Sequence, residues 1–167
     1  MQIAINEAGI TIEEVDYINM HGTSTPIGDM AEAKAVKDLF GEHAYLLHLT
    51  SSKSMTGHIL GGAGAVEAII TILSMQHGMV TPTINHEDGD EDPNIDYKLN
   101  FTFNLPQQRD IHYAMSNNYG FGGQNACLLF KRIWDIETLK LLEPLKLLEL
   151  SKRGSAAYIY INCFIFK

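Results

Sequence analysis

The sequence predicts an α/β layered fold, a mixed sheet packed by helices. Three observations carry the prediction. β-prone and helical runs alternate through the first half of the chain. Two extended runs separated by a Gly-rich turn then form a hairpin in the second half. The 167 residues, 46% of them hydrophobic, suffice for one core of ordinary size and argue against wholesale disorder.

The elements follow in order. Met1 to Ala8 has helical spacing, with Gly9 placed to cap its last turn. A chain that opens in mid-helix reads as a piece of something longer. VDYINM (15–20) is a short strand that delivers His21 at its end. Asp29 and Glu32 make a D-x-x-E start for the helix MAEAKAVKDLF (30–40), which Gly41 stops. LLHLT (46–50) is a second buried strand, leading into SSKSMTGH (51–58). GGAGAVEAIITILSMQ (61–76) is a helix apolar on most faces, which belongs inside a protein or at a large interface. HEDGDEDPNID (86–96) is an acidic, solvated loop. YAMSNNYGFGGQNACLLFKR (113–132) gives a strand, a turn and a returning strand from Asn125 to Arg132. From Trp134 the character changes: LKLL occurs twice, Pro144 interrupts any helix between the copies, and an aromatic β-prone run ends the chain. This tail is either a helix pair covering an edge or a segment appended outside the fold, and the second alternative is favoured.

Composition removes several function classes. With a formal charge of −8 the chain has no global basic field to attract nucleic acid or anionic lipid. Two cysteines, Cys127 and Cys163, are too few for a disulfide framework and fit a reducing cytoplasm. The opening MQIAINEAGITIEE lacks the basic start and apolar run of a signal peptide, and no segment reaches the roughly 18 apolar residues of a membrane span. No H-x-x-x-H or C-x-x-C spacing supports zinc. The glycines after His58 lack the G-K-[ST] ending of a P-loop, and Glu67 stands where a dinucleotide fingerprint needs a small residue.

Seven histidines occur, and His43, His48, His77, His86 and His112 belong to no constellation. His21 and His58 differ because each follows a strand, where side chains from parallel strands converge at one mouth. Two imidazoles donating to one oxygen form an anion hole suited to an enolate or a tetrahedral oxyanion. Thr23 and Thr25 offer hydroxyls to an amide-bearing ligand. Lys53, if buried, needs a carboxylate, and Asp29 and Glu32 are the candidates. Gly120-Phe121-Gly122-Gly123 frees the backbone beside Phe121, suiting a movable aromatic plug or an exposed N–H.

HGTSTPIGD, SSKSMTGHILGGAGAVE, PTIN (82–85) and NNYGFGGQNA together closely resemble the C-terminal half of the bacterial β-ketoacyl-[acyl-carrier-protein] synthases, nearest the elongating synthase II type. The resemblance runs from Met1 to about Ile133. It implies the C-terminal half of a thiolase-like layered αβαβα fold, over a domain of 1–133. It also implies decarboxylative condensation of malonyl-carrier protein with an acyl thioester held on a cysteine. On that pattern His21 and His58 hold the malonyl thioester oxygen, and Lys53 organises the site with Asp29 and Glu32. Thr23 and Thr25 contact the phosphopantetheine arm of the substrate, and Phe121 gates the site. Asn19, Glu67, Ser116 and Asn117 surround a monovalent cation in some members; no cofactor is required. Implied partners are acyl carrier protein, a missing N-terminal half and, in the full-length enzyme, a second copy.

Two departures stand out. The family nucleophile is a cysteine in the N-terminal half, and neither Cys127 nor Cys163 has its setting. Family members end near the position of Ile133, which places 134–167 outside the pattern. The expectation is therefore an enolate-stabilising half without its nucleophile, inactive alone. The alternatives are a non-catalytic partner subunit of the chain-length-factor kind or an inactive fragment.

Overall fold

The computed structural model describes residues 1–133 and the strand Tyr158–Phe166. Helix α1 (Gln2–Ala8) ends on Gly9, whose φ of 66° and N–H bond to the Asn6 carbonyl complete the left-handed cap that the spacing predicts. A 3₁₀ turn leads to strand β1 (Tyr17–Asn19). Helix α2 (Pro26–Phe40) begins earlier than Asp29 and Glu32 suggest. Proline is pre-set for a first helical turn, so Pro26 after Thr25 makes the start. Asp29 lies in the first turn and Glu32 turns inward, buried.

Strand β2 (His48–Thr50), the short helix α3 (Lys53–Thr56) and helix α4 (Ala63–His77) follow. Two small strands, β3 (Met79–Val80) and β4 (Gln107–Gln108), pair antiparallel. The hairpin of β5 (Tyr113–Gly120) and β6 (Gln124–Ile133) matches the expected strand, turn and returning strand. Strand β7 (Tyr158–Phe166) runs antiparallel along β6, from Asn125 opposite Phe166 to Ile133 opposite Tyr158. The rest of the tail discussed above, 134–157 and Lys167, lies outside the described residues.

The main sheet has the order β2-β1-β5-β6-β7, with β1 parallel to β2 and β5. Its period-2 alternation builds two cores. Ile18, Leu49, Met115 and Leu129 pack with Ile5, Val36 and Phe40 of α1 and α2. Tyr17, Ala114 and Phe130 pack on the other side with Met75 of α4. Each large aliphatic or phenylalanine side chain among them contributes roughly 1.5–3 kcal/mol through burial. Because β1, β2 and β5 are parallel, their C-terminal ends share one edge, and the loops after β1 and β2 meet there.

Helix α4 has an inverted pattern. Ala63, Glu67, Thr71, Ser74 and Met75 are buried, whereas Ile69 and Leu73 are exposed. Glu67, Thr71 and Ser74 face the sheet beside the core residues Ile72 and Met75, while Ile69 and Leu73 face out.

Candidate active site

The loops after β1 and β2 are clasped together. The Ser51 hydroxyl donates to the Gly22 carbonyl at 2.6 Å, and the Met20 N–H donates to the Thr50 carbonyl at 2.7 Å. Gly22 has a φ of 35°, and a Cβ there would lie 2.6 Å from the Ser51 Cβ, so only glycine lets the loops approach. This clasp brings the rings of His21 and His58 to a centroid separation of 5.5 Å at 87°.

Both imidazoles are arranged as neutral donors. At His58, Nδ1 accepts the Leu60 N–H at 3.2 Å, which leaves the proton on Nε2. At His21, burial first, then the Lys53 ammonium and the His58 ring, push the pKa down to about 4, against a smaller opposing effect of the Asn118 amide. Its Nδ1 is buried with no hydrogen-bond partner among the described residues. Two neutral imidazoles this close are the kind of pair that, with both N–H groups turned to one oxygen, stabilises developing negative charge there.

Lys53 is buried and carries a correction. Its Nζ lies 2.5 Å from Oε1 of Glu67, with only 4% and 2% of the two side chains exposed, so Glu67 and not Asp29 or Glu32 is its partner. The cause is the sheet: Lys53 reaches toward α4, whereas Glu32 sits on α2 across the sheet. Glu32 instead accepts the N–H groups of His21 and Gly22, both at 3.0 Å, and the Asn117 amide at 3.2 Å. Burial raises its pKa, and these donors oppose the rise. Asp29 lines the cleft beside the loops, and burial raises its pKa too.

The four residues implied for a monovalent cation do not all converge. Asn19 and Ser116 are register partners on the α4 side, where Asn19 bonds the Glu67 carbonyl and the Thr71 hydroxyl. The Ser116 Oγ is buried without a partner among the described residues, as an oxygen awaiting a hard ligand would be. Strand alternation along β5 sends the Asn117 side chain the other way, to Glu32 on the far side of the sheet. Asn19, Glu67 and Ser116 thus fit such an ion, and the Asn117 side chain does not.

A cleft of about 620 Å³ opens over this edge, lined by Thr23, Thr25, Lys53, His58, Thr83 and Tyr97 among others. The Thr23 and Thr25 hydroxyls are 3.1 Å apart. Phe121 stands fully exposed at the tip of the β5–β6 turn, away from the cleft wall. Three contributors escaped the sequence reading. Asn118 donates to Glu67 Oε2 at 2.9 Å, Ser52 bonds Asn19 at 3.2 Å, and the Tyr119 ring lies 5.4 Å from that of His21. Alternation along β5 was the available signal, since it pairs Ser116 with Asn118 and Asn117 with Tyr119.

Residues 1–87 match the family described as "Beta-ketoacyl synthase, C-terminal domain". The 3-oxoacyl-[acyl-carrier-protein] synthase 2 of Coxiella burnetii (strain RSA 493 / Nine Mile phase I) is 47% identical over 135 residues, 81% of this chain and 32% of that protein. Its namesake from Staphylococcus aureus (strain COL) is 51% identical over 132 residues, 79% and 31%. A β-ketoacyl synthase structure from Burkholderia phymatum STM815 superposes with a TM-score of 0.73 at 38% identity, covering 80% of this chain and 31% of that one. A type II polyketide acyl-carrier protein in complex with its hexaketide-bound ketosynthase gives 0.73 at 33% identity, over 78% and 31%. The chain therefore spans about a third of the length of the curated relatives it matches. These findings bear out the resemblance carried by the four motifs.

Proposed function

Because the chain belongs to the β-ketoacyl synthase C-terminal domain family, we propose that it supplies the enolate-stabilising half of a 3-oxoacyl-[acyl-carrier-protein] synthase 2 in fatty acid elongation. The observation that carries this reading is the clasped pair of neutral imidazoles, His21 and His58, with rings 5.5 Å apart.

The malonyl thioester oxygen sits between the two imidazole N–H groups. As the carboxylate C–C bond breaks and carbon dioxide leaves, the electron pair moves into an enolate whose oxygen accepts both hydrogen bonds. The enolate carbon then attacks the acyl thioester carbonyl, and the cysteine thiolate of the N-terminal half departs. The low pKa of His21 keeps its ring uncharged at neutral pH, so no proton is lost to the carbanion. Lys53, balanced by Glu67, sets the local positive potential. A monovalent cation held by Asn19, Glu67 and Ser116 would supply further fixed charge. Thr23 and Thr25 bind the amides of the phosphopantetheine arm presented by acyl carrier protein. Burial pushes the Cys127 thiol up to about 11, so it is no nucleophile.

The test uses this chain assembled with a cysteine-bearing N-terminal half. His21→Ala or His58→Ala is expected to lower malonyl decarboxylation about 10²–10³-fold while largely sparing acyl transfer to cysteine. The chain alone should show no turnover. Equal loss of both half-reactions, or turnover through an acyl adduct on Cys127, would overturn the reading.

A further inference from the structure

We propose that Asp96 is a positioning residue for the cleft, fixing its aromatic wall to helix α2. The segment 86–96, acidic and solvated by composition, also walls the cleft: Asp90, Asp92 and Ile95 line it together with Tyr97, Phe101 and Phe103. The Tyr97 ring lies 5.6 Å from that of Phe101 and 6.2 Å from that of Phe103, and Phe103 stacks on His86 at 3.8 Å. Among the described residues, the hydrogen bonds of 87–95 stay within 86–97, so this wall depends on its two ends. At the first end the Asn104 side chain accepts the His86 N–H at 3.1 Å and donates to the His86 carbonyl at 2.7 Å. At the second, Asp96 Oδ2 accepts from the Lys37 ammonium at 2.6 Å and the Tyr45 hydroxyl at 2.9 Å, and Oδ1 accepts the Lys98 N–H at 3.1 Å. The Lys37 ammonium, then the Lys98 N–H and the Tyr45 hydroxyl, hold the Asp96 carboxyl down to about 2, so it stays ionised. Lys37 belongs to α2, whose first residue Pro26 and first-turn Asp29 line the same cleft beside Thr25. It stands about 16 Å along the helix from Pro26. One helix thus ties both walls, and freeing Asp96 lets the aromatic wall move relative to Thr23 and Thr25. The anchoring charges are partly exposed, so their loss should loosen the segment locally and leave the core intact.

The effect on substrate binding rests on the function proposed above, whereas the anchoring itself does not. The test therefore has two arms. In the first, amide hydrogen exchange of the full chain in deuterated buffer at neutral pH is followed by mass spectrometry. Asp96→Asn removes the charge at nearly constant shape, and Lys37→Met removes its partner. Each is expected to speed exchange of the 92–101 amides several-fold while the β5 amides stay unchanged. The double variant should open the segment no further than either single one, because both break the same contact. Lys37→Arg keeps the charge and should behave as the native chain. Exchange unmoved in both single variants, a parallel rise in β5, or a Lys37→Arg variant as open as Lys37→Met overturns the proposal. In the second arm, Asp96→Asn in the assembled two-chain enzyme is expected to raise KM for malonyl-carrier protein several-fold, with kcat within about twofold of native. A changed exchange pattern with native KM and kcat would uphold the anchoring and count against the proposed reaction.

Discussion

Replacing Glu67 by Gln leaves the Lys53 ammonium buried beside a neutral amide of nearly the same shape. In the native chain the charges lie 2.5 Å apart with side chains 4% and 2% exposed, and the second Glu67 oxygen accepts from Asn118 at 2.9 Å. At such burial the attraction roughly offsets the cost of dehydrating both ions, so the pair contributes little net stability. Removing one partner is different, because the remaining charge keeps its dehydration cost: about 3–5 kcal/mol. For a chain of this size that corresponds to a fall in Tm of about 10–15 °C. The companion variant Lys53→Met with Glu67→Leu removes both charges and should lie within about 1 kcal/mol of the native chain. Urea denaturation followed by circular dichroism at neutral pH measures all three. A Glu67→Gln loss under about 1 kcal/mol, with the double variant no more stable than the single, would show a hydrated pair and refute the reasoning.

Acid should destabilise the chain through His21. Its folded pKa of about 4 lies below the ordinary 6.5, so the unfolded state binds more protons in that window and stability falls as pH drops through it. The raised pKa values of Glu32 and Asp29 act in the opposite sense just above the ordinary carboxylate range. His21→Gln should therefore show a smaller fall in Tm on acidification, and an identical fall would contradict the shift. Deleting 134–167, which none of the four family motifs reaches, is expected to raise soluble yield with Tm unchanged to about 2 °C. A large fall would show that the pairing of β7 along β6 supports the fold.

The layered architecture was legible because local signals agreed with it: Gly9 caps α1, short apolar runs became β1 and β2, and the Gly-rich turn closed β5 on β6. His21 was legible because it sits directly at the end of β1, and His58 because its segment follows β2, with the short helix α3 between. The partner of Lys53 was not, since nothing in sequence distance tells which sheet face a loop lysine reaches. Asp29 and Glu32 were nearer to His21 in the chain, but packing placed Glu67 against the ammonium. The Asn117 side chain reaches Glu32 rather than the side of Ser116 for a simpler reason, because neighbours on a strand point to opposite faces.

The inverted polarity of α4 links the site to assembly. Its sheet-facing positions carry Glu67, Thr71 and Ser74, which bond or border the Lys53 and Asn19 network, so they cannot also be aliphatic. Ile69 and Leu73 are consequently turned outward. Ile69 is 56% exposed and Leu73 45%, near Ile59 and Leu60 in sequence at the helix entrance, which are 45% and 76% exposed. Being half to three-quarters exposed, each would gain roughly 1–2 kcal/mol on full burial, but only the surplus over the cost of association appears as affinity. On its own the chain is therefore expected to self-associate through this face, and Ile69→Lys with Leu73→Lys to make it monomeric. Sedimentation velocity over a range of concentrations measures this, and an added N-terminal half should compete with self-association for the same face. A native chain that stays monomeric throughout, or a double variant that associates as the native chain does, would show that this face plays no part in assembly.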